Sequence, residues 1–340
     1  MRAGLARATL GSVVPVVGGR SRRVGLLHNP RSGGNRRSPG PVRRLLDAHA
    51  DVRRHDVETP ADVAAALRDF ARRGIDVVAI NGGDGTVQAV LTAILGEAIF
   101  ESPPLLAVLA AGTTSMIAGD VGLRGPRAQG LRRLHDWARS PSSRGGLVER
   151  SVMRLEHVPG ARPAFGMFFG AAGIEQGIHY TLHRIHPRGP RGDLGAGLAL
   201  AALLLGLARG RSDTVTPVPL TAAVDGESPQ RRDHLVLMIT TLERLVVGLR
   251  PFWGQGPGPL RYTAVLGRPR RLFAALPRVL RGRAGGPVTA DNGYVSRNVS
   301  EARLWLDGAG YTLDGEMFTA QPGRGPIVLR AGGRATFVRC

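Results

Sequence analysis

Residues 75–95 narrow the fold more than any other segment, because a strand, a glycine-rich loop and a helix follow one another directly. Residues 75–80 form an apolar run, residues 81–86 contain three glycines, and residues 87–95 have the apolar spacing of a helix. A strand that leads through a tight loop into a helix is the repeating unit of parallel α/β sheets. We therefore predict a parallel sheet with helices packed against it.

The same unit recurs on both sides of this segment. Residues 24–28 and 105–109 are short apolar runs, and each leads into a loop that contains glycine. Residues 52–57 are a further strand candidate, and residues 61–73 have helical spacing after Thr59, a candidate cap. Ligands of parallel α/β sheets bind at the carboxyl ends of the strands, so we expect the three glycine loops to meet there.

The second half of the chain has a different pattern. Residues 140–146 are typical of a linker, and short runs with a period of two follow them. These strand candidates are residues 151–157, 164–169, 220–224, 234–240, 262–266, 302–306 and 327–329. We predict an α/β domain over residues 20–145 and an antiparallel β-sandwich over residues 150–338, with a helical insert near residues 194–208.

The charge of the chain indicates an anionic partner. All 46 basic residues are arginine, and the formal net charge is +20. Such a charge attracts phospholipid head groups or nucleic acid. No helix-turn-helix, zinc-finger or aromatic-basic pattern is present, so we favour an anionic membrane surface and expect no nucleic-acid partner. The single cysteine, Cys340, suits a reducing compartment, which predicts a cytoplasmic protein at the membrane periphery.

One apolar run bears on membrane contact. Residues 194–207 are uninterrupted and apolar, with Arg191 and Arg209 on either side. A helix needs about 20 residues to span a bilayer, so this run is too short to cross. A buried helix and a helix that dips into the membrane both stay open. Residues 1–20 have only a short apolar stretch broken by Pro15, so a signal peptide is not predicted.

The loop Gly82-Gly83-Asp84-Gly85-Thr86 is the strongest chemical signal. Glycines directly after a strand let backbone amides approach phosphate oxygens without a Cβ in the way. Successive amides and the start of the next helix form an anion site. Asp84 would then lie beside a triphosphate, where it could orient magnesium or accept a proton. The alternative is a tight turn with a capping aspartate.

Several motifs occur together in a fixed order. They are Asn-Pro-Arg-Ser-Gly-Gly at residues 29–34, GGDGT at 82–86, Gly-Thr-Thr at 112–114, Gly-Ala-Ala-Gly at 170–173 and Asp-Gly-Glu at 314–316. In this order the chain resembles the diacylglycerol kinase catalytic-domain family, which includes sphingosine and ceramide kinases and bacterial lipid kinases. The resemblance covers roughly residues 22–338. GGDGT alone is shared with NAD kinases.

The resemblance implies an ATP-dependent lipid kinase that uses Mg²⁺, with its nucleotide cleft between the two domains, in phospholipid biosynthesis. The residues implied to contact the nucleotide are Asn29, Ser32, Gly33, Gly82, Gly83, Gly85, Thr86, Gly112, Thr113 and Thr114. The residues implied to be catalytic are Asp84, Asp314 and Glu316, with Asp84 also a magnesium ligand. Either Asp84 or Asp314 would accept the proton of the lipid hydroxyl, and the sequence leaves both open. A homodimer also stays open.

The chain departs from the family pattern in two places. Gln88 and Ala89 stand where an Asn-Glu pair is usual, and Ser115 and Met116 stand where Asn, often followed by Asp, is usual. Two alternatives follow: an NAD-kinase-like nucleotide kinase, and a catalytically weakened, membrane-associated regulatory paralogue. A second Asp-Gly-Glu triplet at residues 225–227 is interpreted as a structural hairpin turn.

Overall fold

The computed structural model describes residues 21–37, 40, 52–112, 115–140, 146–157, 161–180 and 216–340. The insert predicted near residues 194–208 and the two predicted nucleotide-contacting residues Thr113 and Thr114 lie outside these described residues. So does most of the predicted linker.

The first part of the chain forms the predicted parallel sheet. Its strands are β1 (Val24–His28), β2 (Arg53–Asp56), β3 (Val77–Gly82) and β4 (Leu105–Ala110), in the spatial order β4-β3-β1-β2. The register places His28 beside Asn81, and Gly82 beside Ala110. The carboxyl ends of β1, β3 and β4 therefore lie side by side, which confirms the predicted edge.

Helices cover both faces of this sheet. They are α1 (Gly33–Arg37), α2 (Pro60–Arg72), α3 (Asp84–Glu97), α4 (Met116–Val121) and α5 (Arg127–Arg139). Val78 and Ile80 of β3 share a core with α2 and α3, whereas Val77 and Ala79 share a core with α5. Because both faces are covered, all six residues of β3 are buried, which explains its continuous apolar sequence.

Thr59 caps α2 as predicted. Its side-chain oxygen accepts a hydrogen bond from the Asp62 amide at 3.2 Å, and Asp62 Oδ2 accepts one from the Thr59 amide at 2.9 Å. Thr59→Ala removes one half of this capping box, so the free energy of unfolding should fall by about 1 kcal/mol. Urea unfolding measures the change. Thr59→Ser keeps the acceptor and should retain most of the stability; equal losses in both variants would contradict the capping role.

The second part of the chain is antiparallel, as predicted, and is richer in strands than the sequence indicated. Its strands are β5 (Gly146–Glu156), β6 (Ala164–Gly166), β7 (Phe168–Ala172), β8 (Val218–Val224), β9 (Gln230–Thr240), β10 (Leu260–Leu266), β11 (Tyr294–Val299), β12 (Glu301–Trp305), β13 (Gly310–Leu313), β14 (Glu316–Thr319) and β15 (Ile327–Arg339). Its helices are α6 (Gly173–Tyr180) and α7 (Leu272–Leu280). The sequence did not predict β11, β13, β14, α6 or α7.

Two predicted strands differ from the structure. The single strand over residues 164–169 is wrong, because the run is divided at Met167 into β6 and β7. The strand over residues 327–329 is the start of a much longer one, β15, which pairs with β12 and β5. Near its end, Phe337 pairs in parallel with Leu106 of β4, so β15 joins the antiparallel strands to the first sheet.

In the parts of the chain that the structure describes, no helix has the length and apolar character needed to cross a bilayer.

Candidate active site

The three glycine loops contact one another at the carboxyl edge of the parallel sheet. The amide of Asn29 donates to the Asn81 carbonyl at 3.0 Å, and the amide of Gly34 donates to the Ala111 carbonyl at 2.8 Å. The loops that follow β1, β3 and β4 are thus joined through their backbones. The structure brings together the predicted loop residues that it describes.

Two predicted nucleotide residues of the first loop contact the GGDGT loop directly. Ser32 Oγ accepts a hydrogen bond from the Gly83 amide at 3.0 Å. Asn29 Nδ2 donates to Thr86 Oγ1 at 2.9 Å. These bonds hold the glycine loop in one position relative to the first loop, which prepares its remaining backbone groups for a ligand.

Asn35 and Arg127 also support the first loop, and the sequence did not single them out for this role. Buried Asn35 donates from Nδ2 to the carbonyls of Asn29 at 2.7 Å and Asn81 at 3.0 Å. Arg127 donates to Asn35 Oδ1 and, at 2.9 Å, to the Gly34 carbonyl. Asn35 directly follows the motif at residues 29–34, so its position in the sequence could have indicated this role. Arg127 lies 92 residues further along the chain and no local pattern marks it.

Gly83 and Gly112 touch through their backbones. A Cβ on Gly112 would lie 2.9 Å from the Gly83 Cα, and a Cβ on Gly83 would lie 3.3 Å from the Gly112 Cα. The first distance is shorter than van der Waals contact between carbon atoms permits. Glycine at position 112 therefore lets the third loop lie against the GGDGT loop.

Gly112→Ala should displace the GGDGT loop, because the clash is with rigid backbone. A misplacement approaching 1 Å lowers catalytic efficiency by about a hundredfold, so we expect a kcat/KM loss of that order. Gly119→Ala is the matched control: a Cβ there meets no atom within 4 Å, and alanine favours the helix α4. Steady-state phosphate transfer by both variants is the measurement. Equal activities would show that the loop contact does not matter.

Asp84 is the first residue of α3 and caps a different helix. Its Oδ2 accepts from the Met116 amide at 2.9 Å and its Oδ1 from the Ile117 amide at 3.0 Å, at the start of α4. Asp84 therefore has a capping role, although toward α4 and not at the tight turn that the sequence suggested. The two hydrogen bonds leave room for a metal-binding or catalytic role, because an ionised carboxylate has about four acceptor positions. Capping fixes the orientation of the carboxylate at the loop edge.

Asp314 is buried at the turn between β13 and β14. It has φ 49°, and its side chain is 1% exposed. Oδ1 accepts from the Phe168 amide at 2.8 Å, and both carboxylate oxygens accept from the Met167 amide at 3.1 and 3.0 Å. These bonds engage the chain where β6 ends and β7 begins, which explains the division of the predicted strand.

The pKa of Asp314 is raised well above its usual value. Burial is the largest cause, and the nearby negative charge of Asp84 adds to it, whereas the hydrogen bonds from the Met167 and Phe168 amides oppose the rise. A carboxyl group with a raised pKa binds a proton more readily near neutral pH, which suits a general base.

Glu316 reaches the glycine loop from the same hairpin. A Cβ on Gly85 would overlap the Glu316 carboxylate, so that carboxylate lies directly over the loop. The three residues predicted to be catalytic thus lie near one another: the Glu316 carboxylate is over the loop that carries Asp84, and Asp314 is buried near Asp84. Asp84 belongs to the parallel α/β part, and Asp314 and Glu316 belong to the antiparallel strands. Together with the glycine loops, this arrangement places carboxylates beside backbone amides that could bind phosphate.

Comparison with known sequences agrees with this geometry. Residues 23–141 match the diacylglycerol kinase catalytic domain. The matched segment contains the first, GGDGT and third loops. No curated protein matches the chain in sequence.

Two solved structures share the fold. A diacylglycerol kinase from Bacillus anthracis str. Sterne is similar with a TM-score of 0.58 and 15% identity, over 94% of this chain and 98% of that chain. Yeast NADH kinase, solved with NADH, has a TM-score of 0.50 and 11% identity, over 97% of this chain and 88% of that chain. At these identities, the likeness establishes the fold alone.

The second Asp-Gly-Glu triplet, at residues 225–227, is a structural turn, as predicted. Asp225 has φ 47°, close to that of Asp314, at the turn between β8 and β9. However, Asp225 Oδ1 accepts from the exposed amides of Ser300 at 2.8 Å and Glu301 at 2.9 Å. Glu227 forms an ion pair with Arg297 at 2.8 Å. The two triplets have the same turn in different surroundings.

The carboxylates of the site fit a magnesium ion that is shared with a nucleotide. Over the described residues, no group of three or more His, Cys, Asp or Glu side chains could hold a metal by itself. Magnesium beside nucleotide phosphates usually takes only one or two protein carboxylates, and phosphate oxygens and water supply the rest. Asp84 and Glu316 would supply that set next to the loop of the diacylglycerol kinase catalytic domain.

Proposed function

We propose that this protein is an ATP-dependent lipid kinase, which transfers the γ-phosphate to the hydroxyl of diacylglycerol, a sphingoid base or a related lipid. The observation that carries the proposal is the convergence of Asp84, Asp314 and Glu316 on the GGDGT loop. Phosphoryl transfer requires positioning and charge neutralisation more than covalent help from the protein. The GGDGT loop would position the phosphates, and the carboxylates with magnesium would neutralise their charge.

The loops would hold the nucleotide. Amides of the GGDGT loop would bind phosphate oxygens, and the first and third loops would contact the rest of ATP. Asp84 and Glu316 would hold magnesium, which when bound neutralises charge on the phosphate oxygens. The lipid oxygen then forms a bond to the γ-phosphorus as the bond to the bridging oxygen of ADP breaks, and the hydroxyl proton leaves to a carboxylate.

We assign that proton to Asp314. Asp84 accepts hydrogen bonds from the Met116 and Ile117 amides, which fix its carboxylate at the edge of the GGDGT loop, so we assign Asp84 to magnesium. The raised pKa of Asp314, which burial causes, favours proton uptake instead. A base is most efficient when its pKa lies near the working pH.

The departures from the family pattern leave this machinery in place. Met116 contacts Asp84 through its backbone amide, so the side chain at position 116 is not needed for that bond. Ala89 is buried in the core between α3 and the sheet. The side-chain amide of Gln88 donates from Nε2 to Thr92 Oγ1 at 3.3 Å. These contacts favour an active kinase over a weakened paralogue. An NAD-kinase-like activity would require a soluble nucleotide acceptor instead.

The test is transfer from labelled ATP in the presence of magnesium to a panel of lipid alcohols in mixed micelles, with NAD as a parallel acceptor. A labelled lipid is the expected product. Asp84→Asn should lower its formation roughly a thousandfold, since a metal ligand contributes several kcal/mol. Circular dichroism would check that this variant is folded. Labelled NADP in place of lipid, or ATP binding without transfer, would reject the lipid-kinase proposal.

A further inference from the structure

Helix α7 has an apolar outer face as well as an apolar inner one. Ala275 and Val279 are buried against β9, β10 and β11. On the opposite side, Phe273 is 59% exposed, and Ala274 and Pro277 are exposed beside it. Packing against the sheet explains the inner face of this helix, and nothing in the described chain covers the outer one.

A second exposed apolar residue lies next to α7. Val247 is 55% exposed, and Val247 and Phe273 are the large hydrophobic residues that stand out as exposed among those the structure describes. The loop that carries Val247 contacts the end of α7, where the Arg250 amide donates to the Leu280 carbonyl at 3.2 Å. The two exposed apolar residues therefore lie on segments that contact each other.

The same surface is strongly cationic. Residues 244–290 contain no aspartate or glutamate. Their exposed arginines are Arg244, Arg250, Arg268, Arg270, Arg271, Arg278, Arg281 and Arg283. Some exposed arginines elsewhere have acidic partners, such as Arg31 with Glu58 and Arg297 with Glu227, whereas none of these eight forms an ion pair within the described ranges. We call residues 244–250 and 268–283 the arginine surface.

We propose that the arginine surface docks on an anionic phospholipid membrane. Its arginines would contact lipid phosphates, while Phe273 and Val247 enter the boundary between head groups and acyl chains. Cationic residues around exposed apolar residues on an amphipathic helix are typical of helices that lie in the membrane interface. Nucleic acid would use the arginines but would leave Phe273 and Val247 in water, and for that reason we favour the membrane.

The segment that leads into the arginine surface contacts the surroundings of the carboxylates. The Thr241 amide donates to the Met167 carbonyl at 3.0 Å, and Met167 in turn contacts Asp314. Two residues further on, the Glu243 amide donates to Asp120 of α4 at 3.2 Å, and the loop around Val247 packs against α4. A membrane on this surface would present lipid beside the carboxylates. In this respect the inference rests on the proposed function.

The test is cosedimentation with vesicles of phosphatidylcholine alone or mixed with phosphatidylglycerol, without ATP. The full chain should bind the mixed vesicles, and salt should weaken the binding. The double variant R271Q/R278Q should bind about thirtyfold more weakly, since each arginine near an anionic surface contributes about a factor of five. Phe273→Ser should weaken binding roughly tenfold, with little change in salt dependence.

R132Q/R324Q is the matched control, because it removes two exposed arginines outside the arginine surface and lowers the net charge equally. Equal weakening by both double variants would overturn the proposal in favour of general charge attraction. Binding to a DNA oligonucleotide but not to vesicles would overturn it in favour of nucleic acid. Lipid phosphorylation in micelles without vesicle binding would reject only the docking surface, and vesicle binding without any phosphorylation would reject only the lipid kinase.

Discussion

Replacing Asp314 by asparagine is expected to lower lipid phosphorylation by about 10²–10⁴-fold while the fold is retained. The amide cannot accept the hydroxyl proton, but its oxygen can still accept from the Met167 and Phe168 amides. Asp225→Asn is the matched control, because Asp225 occupies the same turn conformation in the other Asp-Gly-Glu triplet. Equal effects on transfer in the two variants would contradict the assignment of Asp314.

The raised pKa of Asp314 adds a stability expectation with a definite sign. Burial raises the pKa in the folded state above the ordinary value, so protonation stabilises the fold. This contribution is complete below the unfolded-state pKa and is lost as the pH rises through the folded-state pKa. At neutral pH, Asp314→Asn should therefore be at least as stable as the wild type in urea unfolding. A large loss of stability would show that the charged carboxylate supports the fold.

The same group should shape the pH dependence of turnover. A base must be deprotonated to act, so kcat/KM should fall as the pH is lowered through the pKa of Asp314. Because burial and Asp84 raise that pKa, the acid limb should lie above about pH 4, where an ordinary aspartate titrates. If kcat/KM stays constant down to about pH 4, a group other than Asp314 is the base.

Replacing Arg150 by methionine is expected to lower the free energy of unfolding by about 3–5 kcal/mol. Arg150 of β5 forms an ion pair with Asp120 at the end of α4, at 2.9 Å, and the two side chains are 7% and 2% exposed. Arg150 also lies 3.3 Å from the Glu243 carboxylate. Removing the arginine leaves a buried carboxylate without its cation. Urea unfolding measures the loss.

Two controls separate burial from charge. D120N/R150M removes both charges and should recover much of the stability, because no unpaired ion remains. Arg54→Ala breaks the exposed pair with Asp56 and should cost at most about 1 kcal/mol. Since α4 also binds Asp84 at its other end, Arg150→Met should reduce transfer even where it is folded. Similar losses in the free energy of unfolding from Arg54→Ala and Arg150→Met would show that burial does not increase the contribution of the Arg150–Asp120 pair to stability.

The sequence predicted the parallel sheet well because its signals are local. An apolar run, a glycine loop and a capped helix each occupy a few adjacent residues, and the structure places β1, β3, β4 and α2 where these patterns lie. The missed features depend on distant partners. The division at Met167 follows from Asp314, which lies 147 residues away, and the extension of β15 follows from its pairing with β4 and β5.

The sequence by itself determined the residue types of the site: glycines that let a backbone approach phosphate, and carboxylates at fixed places in ordered motifs. Only the tertiary structure decided the environment of each carboxylate. Asp225 and Asp314 occupy the same local turn, yet Asp225 lies at the surface and Asp314 is buried beside Asp84 with a raised pKa. The physical reason is that burial and neighbouring charge are set by segments far apart in the chain, which a local pattern does not contain.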